Sequence, residues 1–276
     1  MTNSRVLVTG CSSGIGLATA VEFAKQGATV VATMRDVGRS DALRAALAAA
    51  GVEGDVRLLD VSDDASVRGA LAGIVADHGG IDAVISNAGI GIDGTTEELT
   101  LDDFRASFET NVLGVVRLLH AVLPAWRAAG AGRLIAVSSV SGALGIPFND
   151  AYCASKHALE GLLESLHPVV AQHGIHLSIV EPGPVIGTFA TASGPPAGRT
   201  AEGPYIAARA RFQTVQDAGY ESAQTNEDIA RVLWRVATDE APVLRYQTSD
   251  GVAKLVGVKL KDTTGERVTG LTARWI

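Results

Sequence analysis

A chain of 276 residues that is 47% hydrophobic and 19% charged can fill one large core and is too apolar to be disordered. Its net charge of −7 argues against nucleic acid or an anionic membrane as a partner, so an anionic ligand would have to be held by local donors. The only cysteines, Cys11 and Cys153, lie in no CxxC or His-rich spacing, so neither a metal site nor a disulfide framework is expected, and a reducing cytoplasmic setting fits.

Short β-branched runs alternate with alanine-rich helical stretches. "RVLVTG" reads as a strand, "GLATAVEFAKQG" as a helix closed by glycine, and "ATVVATM" as a second strand. "DALRAALAAAG" is a helix, "VRLLD" a strand, "DASVRGALAGIVADHGG" a helix and "IDAVISNAG" a strand. A long helix over Phe104–Ala129 follows, then the strand "GRLIAVSS", a helix around Tyr152 and the strand "IHLSIVEPG". The strands are nearly continuous apolar runs, as parallel strands buried on both faces should be. The alternation predicts a single-domain α/β fold: a Rossmann-type, doubly wound parallel sheet with helices on both faces. Residues 1–186 would form the core and 187–223 a substrate lid after the sixth strand; 224–276 would add a C-terminal helix, a strand and a tail. The lid region is small, proline-rich and sparse in hydrophobes up to Gly203, then helical over Tyr205–Tyr220. "NEDIARVLWRVATD" restores a helix with Asn226 as its expected N-cap, and "VLRYQT" is the last strand. No signal pattern opens the chain, and its longest uncharged run, Leu134–Asn149, is broken by serines, glycines and a proline, so no membrane span is expected.

Directly after the first strand, "TGCSSGIG" over Thr9–Gly16 opens a helix. Glycines there permit a tight turn and let backbone amides approach a pyrophosphate at the helix N-terminus. The second strand ends in Met34, Arg35 and Asp36. An acid facing the cleft would bind ribose hydroxyls and select NAD, whereas an arginine would hold a 2′-phosphate. Arg35 is the expected cleft residue, which favours NADP(H) over NAD(H).

Tyr152 and Lys156 stand four residues apart, on one face of a helix that continues through Leu159, Leu163, Leu166 and Val170. Taken alone, Lys156 could also lean out and pair with Glu160, a surface pair worth about 0.3–0.5 kcal/mol. Ser139 lies thirteen residues before Tyr152 at a strand end, Asn87–Gly89 close the fourth strand at the same edge, and Asn111 is an amide among apolar neighbours. In a doubly wound sheet the carboxyl ends of the strands form the ligand crevice, so these polar groups converge on one site.

With these motifs the chain resembles the short-chain dehydrogenase/reductase family over nearly its whole length. The matches are TGxxxGxG at Thr9–Gly16, Asp60 after the third strand, Asn87–Gly89, Asn111, Ser139, Tyr152 with Lys156, and Pro182–Gly183. "VVATMRD", "PFNDAYCASKHALEGLLESL" and "HLSIVEPGPV" look most like the branch containing 17β-hydroxysteroid and retinol dehydrogenases. The resemblance implies an NADP-dependent enzyme interconverting an apolar alcohol and its carbonyl, with no metal, as a homodimer or homotetramer. Tyr152 would be the acid/base, Ser139 a donor to the substrate oxygen, Lys156 a cation that acidifies Tyr152 and holds the nicotinamide ribose, and Asn111 the anchor of a relay water. A lysine about 4 Å from the phenol could supply the roughly 4 kcal/mol needed to bring it near neutral pH. The cofactor would rest on Gly10, Ser12, Ser13, Gly14, Ile15 and Gly16, with Arg35, Asp60 and Val61 at the adenosine end. Asn87, Ala88 and Gly89 would form the floor, and Pro182, Gly183, Val185 and Thr188 would line the nicotinamide side. The family threonine that holds the carboxamide falls at Gly187, so Thr188 would have to replace it. Pro168 should disturb the Tyr152 helix. A 3-oxoacyl-thioester or broad carbonyl reductase is the alternative, with Arg199, Arg209 and Arg211 as a hint of a basic patch; a non-catalytic dinucleotide sensor is the reading from another class.

Overall fold

The protein was analysed as a computed structural model that describes residues 1, 3–187, 203–221 and 223–276. Seven strands form one parallel sheet: β1 (Arg5–Thr9), β2 (Thr29–Met34), β3 (Asp55–Leu58), β4 (Ala83–Ser86), β5 (Gly132–Val137), β6 (Ile175–Glu181) and β7 (Arg245–Gln247). Their order is β3-β2-β1-β4-β5-β6-β7, so the chain reverses its direction of travel between β1 and β4. That reversal opens a crevice at the carboxyl edge beside Thr9 and Ser86.

Successive strand residues serve opposite faces. Leu7, Val31, Val84 and Leu134 join α3 (Asp64–His78), α5 (Gly114–Ala129) and α6 (Asp150–Ala171) in one core. Val6, Val8, Val30 and Ile135 join α1 (Gly14–Lys25), α2 (Asp41–Ala49) and α8 (Asn226–Thr238) in the other, where the Phe23 ring meets Trp234 edge-on at 5.0 Å. The fold class expected from the alternating runs is therefore the one observed. Leu101–Ala129 is long and apolar enough to cross a membrane by length and composition, but its Val115, Leu118, Leu119, Val122 and Trp126 are spent on the first core.

Three local expectations are corrected. The long fourth-to-fifth connection is not one regular helix: α4 (Leu101–Phe108) passes through a π-helical turn at Glu109–Leu113 before α5 begins. Thr225, not Asn226, caps α8, because its hydroxyl accepts the Asp228 amide while the Asp228 carboxylate accepts the Thr225 amide. Asn226 instead donates its Nδ2 to the Ile186 carbonyl at 3.1 Å. The expected tail is two helices, α9 (Asp250–Leu260) and α10 (Glu266–Thr272), which bury Val252, Val256 and Val268 against Leu144. The helix α6 itself continues past Pro168 to Ala171, with Leu163 and Val170 buried on either side of the proline.

The segment after β6 is drawn in at its base, where Val185 bridges Gln224 and Ile186 N donates to the Gln224 carbonyl. Thr188 and the rest of 188–202, Arg199 included, lie outside the described residues. Beyond them, α7 (Ile206–Tyr220) returns to the body: Tyr205 Oη donates to Glu97 at 2.6 Å and Arg209 to Glu98 at 2.7 Å.

Candidate active site

The glycine turn after β1 is built by contact with β4. Thr9 Oγ1 accepts the amides of Asn87 and Ala88, and Asn87 Nδ2 donates back to the Thr9 and Gly10 carbonyls. Gly10 has φ +74, and a Cβ there would stand 2.9 Å from Ala88 Cα. At Gly16 a Cβ would overlap the Gly10 carbonyl oxygen and Asn87 Nδ2. The helix that follows, α1, carries no acid in its first turn, whereas α2, α3 and α4 begin with Asp41, Asp64 and Asp102/Asp103. No carboxylate of its first turn competes for its positive dipole end, which fits a bound pyrophosphate.

At the end of β2, Arg35 is exposed, whereas the Asp36 carboxylate turns back to accept the Gly38 amide at 2.9 Å. Arg35 lies close enough to Asp60 to act on it. Burial raises the Asp60 carboxyl, but the Ser62 hydroxyl and amide, with help from Arg35 and Arg117, hold it below the ordinary carboxylate value. The neighbouring Val61 is buried against α5, where Gly114 leaves room for it.

The π turn places Asn111. Its side chain is 1% exposed, donates to the Ile90 carbonyl and to Ser155 Oγ, each at 2.9 Å, and accepts the Ile90 amide at 2.9 Å. A π turn costs helix geometry and recurs where a side chain must be re-aimed. Here it ties the loop after β4 to α6. Asn111→Leu should leave both backbone groups of Ile90 without partners, so urea unfolding should show a stability loss of about 3 kcal/mol.

On α6, Lys156 is 4% exposed and donates its Nζ to the Val137 carbonyl at 2.8 Å; the surface pair with Glu160 is therefore not formed. Nζ stands 5.7 Å from the centre of the Tyr152 ring. Tyr152 is buried and hydrogen-bonded to Ser139, and Ser139 Oγ also accepts the Ser141 amide at 3.1 Å. The expected acidification of Tyr152 is not what the protein alone produces. Burial raises the phenol above its ordinary value, against the pull of the Ser139 hydroxyl. Burial also pushes Lys156 down to about 8, with the Glu160 carboxylate opposing. Both shifts follow from the exclusion of water, which disfavours the charged form of each group.

Pro182 is buried and its carbonyl accepts the Val140 amide at 2.8 Å, while a Cβ on Gly183 would press 2.8 Å from Val252 of α9. This sets the strand exit beside Ser139. Opposite, Phe148 holds φ +62, a strained conformation for an aromatic residue, four positions before Tyr152. Its ring packs on Phe212 at 5.5 Å and under the Arg209 guanidinium at 4.4 Å. Of the aromatic residues on α7 and at its start, Tyr205 and Phe212 thus fasten that helix, whereas Tyr220 interacts electrostatically with Tyr152. Half-buried Asp93 faces Arg209 and Tyr220; burial raises its carboxyl to about 6, with Arg209 opposing.

The structure brings Ser139, Tyr152, Lys156, Asn111 and Gly89 together: a Cβ on Gly89 would lie 3.2 Å from Asn111 Oδ1 and 3.7 Å from Lys156 Nζ. Thr9, Ser155, Asp93 and the Val137 carbonyl were not anticipated. Thr9 opens the glycine motif with no role of its own assigned, Ser155 sits inside YxxxK as an apparent spacer, and a backbone carbonyl leaves no trace in residue identity.

Comparison with known proteins agrees with this geometry. Residues 4–196 match the family described as short chain dehydrogenase. Retinol dehydrogenase 8 of Bos taurus is 38% identical over 272 residues, covering 94% of this chain and 86% of that protein. The 17-beta-hydroxysteroid dehydrogenase type 1 of Homo sapiens is 38% identical over 275 residues, covering 96% and 83%. A short-chain dehydrogenase from Streptomyces avermitilis superposes with a TM-score of 0.81 at 30% identity, covering 98% of this chain and 97% of that one. A metagenomic short-chain oxidoreductase in complex with NADP gives a TM-score of 0.70 at 28% identity, covering 90% and 97%. A short-chain dehydrogenase/reductase from Burkholderia phymatum in complex with NAD gives 0.81 at 26% identity, covering 95% and 94%. The chain is an oxidoreductase of the short chain dehydrogenase family, in the branch that holds the retinol and 17β-hydroxysteroid dehydrogenases.

Proposed function

We propose that the protein is an NADP(H)-dependent enzyme that interconverts an alcohol and its carbonyl on an apolar, steroid-, retinoid- or ketone-like substrate. The observation that carries this reading is the buried Ser139–Tyr152 hydrogen bond beside Lys156, at the same sheet edge as the glycine turn. The cofactor would supply or accept the hydride. During reduction Tyr152 gives its proton to the carbonyl oxygen and Ser139 donates a hydrogen bond to that oxygen; in oxidation Tyr152 takes the proton back. Lys156 holds the nicotinamide ribose. A Cβ on Gly89 would stand close to both Asn111 Oδ1 and Lys156 Nζ, so glycine there leaves their approach open to a relay water that passes protons onward. Gly10, Ser12, Ser13, Gly14, Ile15 and Gly16 take the pyrophosphate; Asp60 and Val61 meet the adenine; Asn87–Gly89 form the floor; Pro182, Gly183 and Val185 line the nicotinamide side.

The preference for NADP(H) rests on Arg35 being exposed while Asp36 is turned toward Gly38. Arg35→Ala should weaken NADPH binding by about tenfold or more and leave NADH within about twofold, as a charge-assisted contact to a 2′-phosphate requires. Equal losses for the two cofactors in a fluorescence titration would refute that role. The thioester-carrier alternative loses its support at Arg209, which is already committed to Glu98 and Phe148, and Asp93 adds negative charge to the same wall. A cytoplasmic setting suits the two buried free thiols, Cys11 and Cys153. The substrate is tested by following NADPH absorbance with estradiol, retinol, small ketones and acyl thioesters. Turnover confined to acyl thioesters would replace this reading with the alternative.

A further inference from the structure

Behind Lys156, on the side away from Tyr152, two buried carboxylic acids meet. Glu160 of α6 is one turn beyond Lys156; its Oε1 accepts Ser138 Oγ at 2.7 Å and its Oε2 the Arg245 Nε at 3.1 Å. Glu181, the last residue of β6, is fully buried: one oxygen accepts Gln247 Nε2, and Oε1 stands 3.8 Å from the same Arg245 Nε. That oxygen has no hydrogen-bond donor among the described residues. Ionised, it would be an orphaned buried charge, an expensive state. The Glu160 carboxyl is within hydrogen-bonding reach of Glu181, and the orphan is satisfied once a proton sits between the two.

The charges around the pair point the same way. From α6 it faces Lys156 and Glu164, and from β7 Arg245; Ser138 at the end of β5 and Gln247 are neutral. Arg245 is shared by Glu160, Glu164 and Glu181, too many carboxylates for one guanidinium. Gly142 makes the approach possible, because a Cβ there would overlap Glu160 Oε1 and crowd Ser138 Oγ. Burial and the Glu160 charge raise Glu181, with Gln247 and Arg245 opposing.

We propose that Glu160 and Glu181 hold a single proton between them, and that the remaining negative charge makes Glu160 a positioning residue that keeps Lys156 an ammonium. This inference rests on Lys156 being the cofactor-binding lysine of a hydride-transfer site. Lys156 touches the site; Glu160 acts through it. Glu160 is the carboxylate that opposes the discharge of Lys156 by burial. Its Ser138 contact adjoins Ser139, so the same side chain braces the strand end that carries the donor to the substrate.

The test measures NADP+ affinity by tryptophan fluorescence as pH is raised, in the full-length protein. Lys156 gives the ribose a charge-assisted hydrogen bond only while it is an ammonium, so affinity falls at the pH where it discharges. In Glu160→Gln the pair's charge passes to Glu181, which does not act on Lys156 as Glu160 does, so that midpoint should move down by about one pH unit. In Glu164→Gln, which removes a solvent-facing partner of Arg245, it should stay in place. An unmoved midpoint in a Glu160→Gln protein that binds NADP+ at neutral pH would overturn the role of Glu160. If Glu160→Gln does not fold, infrared spectra of the wild type decide: a protonated carboxylic acid band at neutral pH, lost in Glu181→Gln, is expected. Its absence from the wild type would overturn the shared proton. A wild type that binds no dinucleotide would overturn the hydride-transfer reading as well, which separates the two failures.

Discussion

Tyr152→Phe should lose turnover by about a thousandfold or more while NADPH affinity stays within a few-fold of the wild type. The substitution removes one oxygen from a buried side chain and leaves the ring beside Lys156 in place. The Ser139 hydroxyl loses its partner but keeps the Ser141 amide, so the strand end holds its shape. A loss confined to the chemical step appears as lower kcat with little change in the cofactor's Kd. Near wild-type rates would remove Tyr152 from the reaction. The raised pKa of Tyr152 also gives the pH dependence a sign. A phenol held above its ordinary value stays protonated through neutral pH, so carbonyl reduction should run without an alkaline requirement. Alcohol oxidation needs the ionised phenol and should climb with pH. A positive charge brought close to the phenol steepens neither dependence but moves the oxidation limb toward neutral pH.

Much of this candidate site is legible in the sequence alone, because its determinants are short-range. Gly10, Gly14 and Gly16 sit in one turn, and Tyr152 and Lys156 share one helical face. The rest depends on partners distant in sequence. "ETNVL" has the apolar content of a continuing helix, and its π turn becomes intelligible only when Asn111 is seen on Ile90 and Ser155. Phe148 carries no sign of positive φ, which is imposed by Gly94 donating to its carbonyl and by Phe212 on its ring. Glu160 reads as a surface residue in "KHALEG", yet it is buried because Ser138 and Arg245 supply donors from two strands. Arg209 likewise reads as free positive charge until Glu98 and Phe148 claim it. The two C-terminal helices read as a tail in the sequence; what makes Asp250–Leu260 a helix is the Ser249 cap and the apolar surface around Leu144.

Gly16→Ala should abolish useful dinucleotide binding, with affinity down on the order of a hundredfold, and should also lower stability by about 2 kcal/mol. The added methyl would overlap the Gly10 carbonyl oxygen and Asn87 Nδ2. Neither neighbour can retreat cheaply. The Gly10 carbonyl belongs to a turn fixed by φ +74, and Asn87 Nδ2 is bonded to the Thr9 and Gly10 carbonyls. Relieving the overlap therefore moves the first turn of α1 away from the end of β4, and the amides that would meet the pyrophosphate move with it. Gly14→Ala separates this steric cause from simple loss of flexibility. At Gly14 the nearest atom to an added Cβ is Asn226 Oδ1 at 3.7 Å, so only the strain of φ +60 is incurred, about 1–2 kcal/mol. If both substitutions weaken NADPH equally in a fluorescence titration, backbone strain alone governs the turn and the close packing of Gly16 against Gly10 has no special part in it. A much larger loss for Gly16→Ala, at comparable melting temperatures, ties cofactor affinity to the contact between α1 and the end of β4.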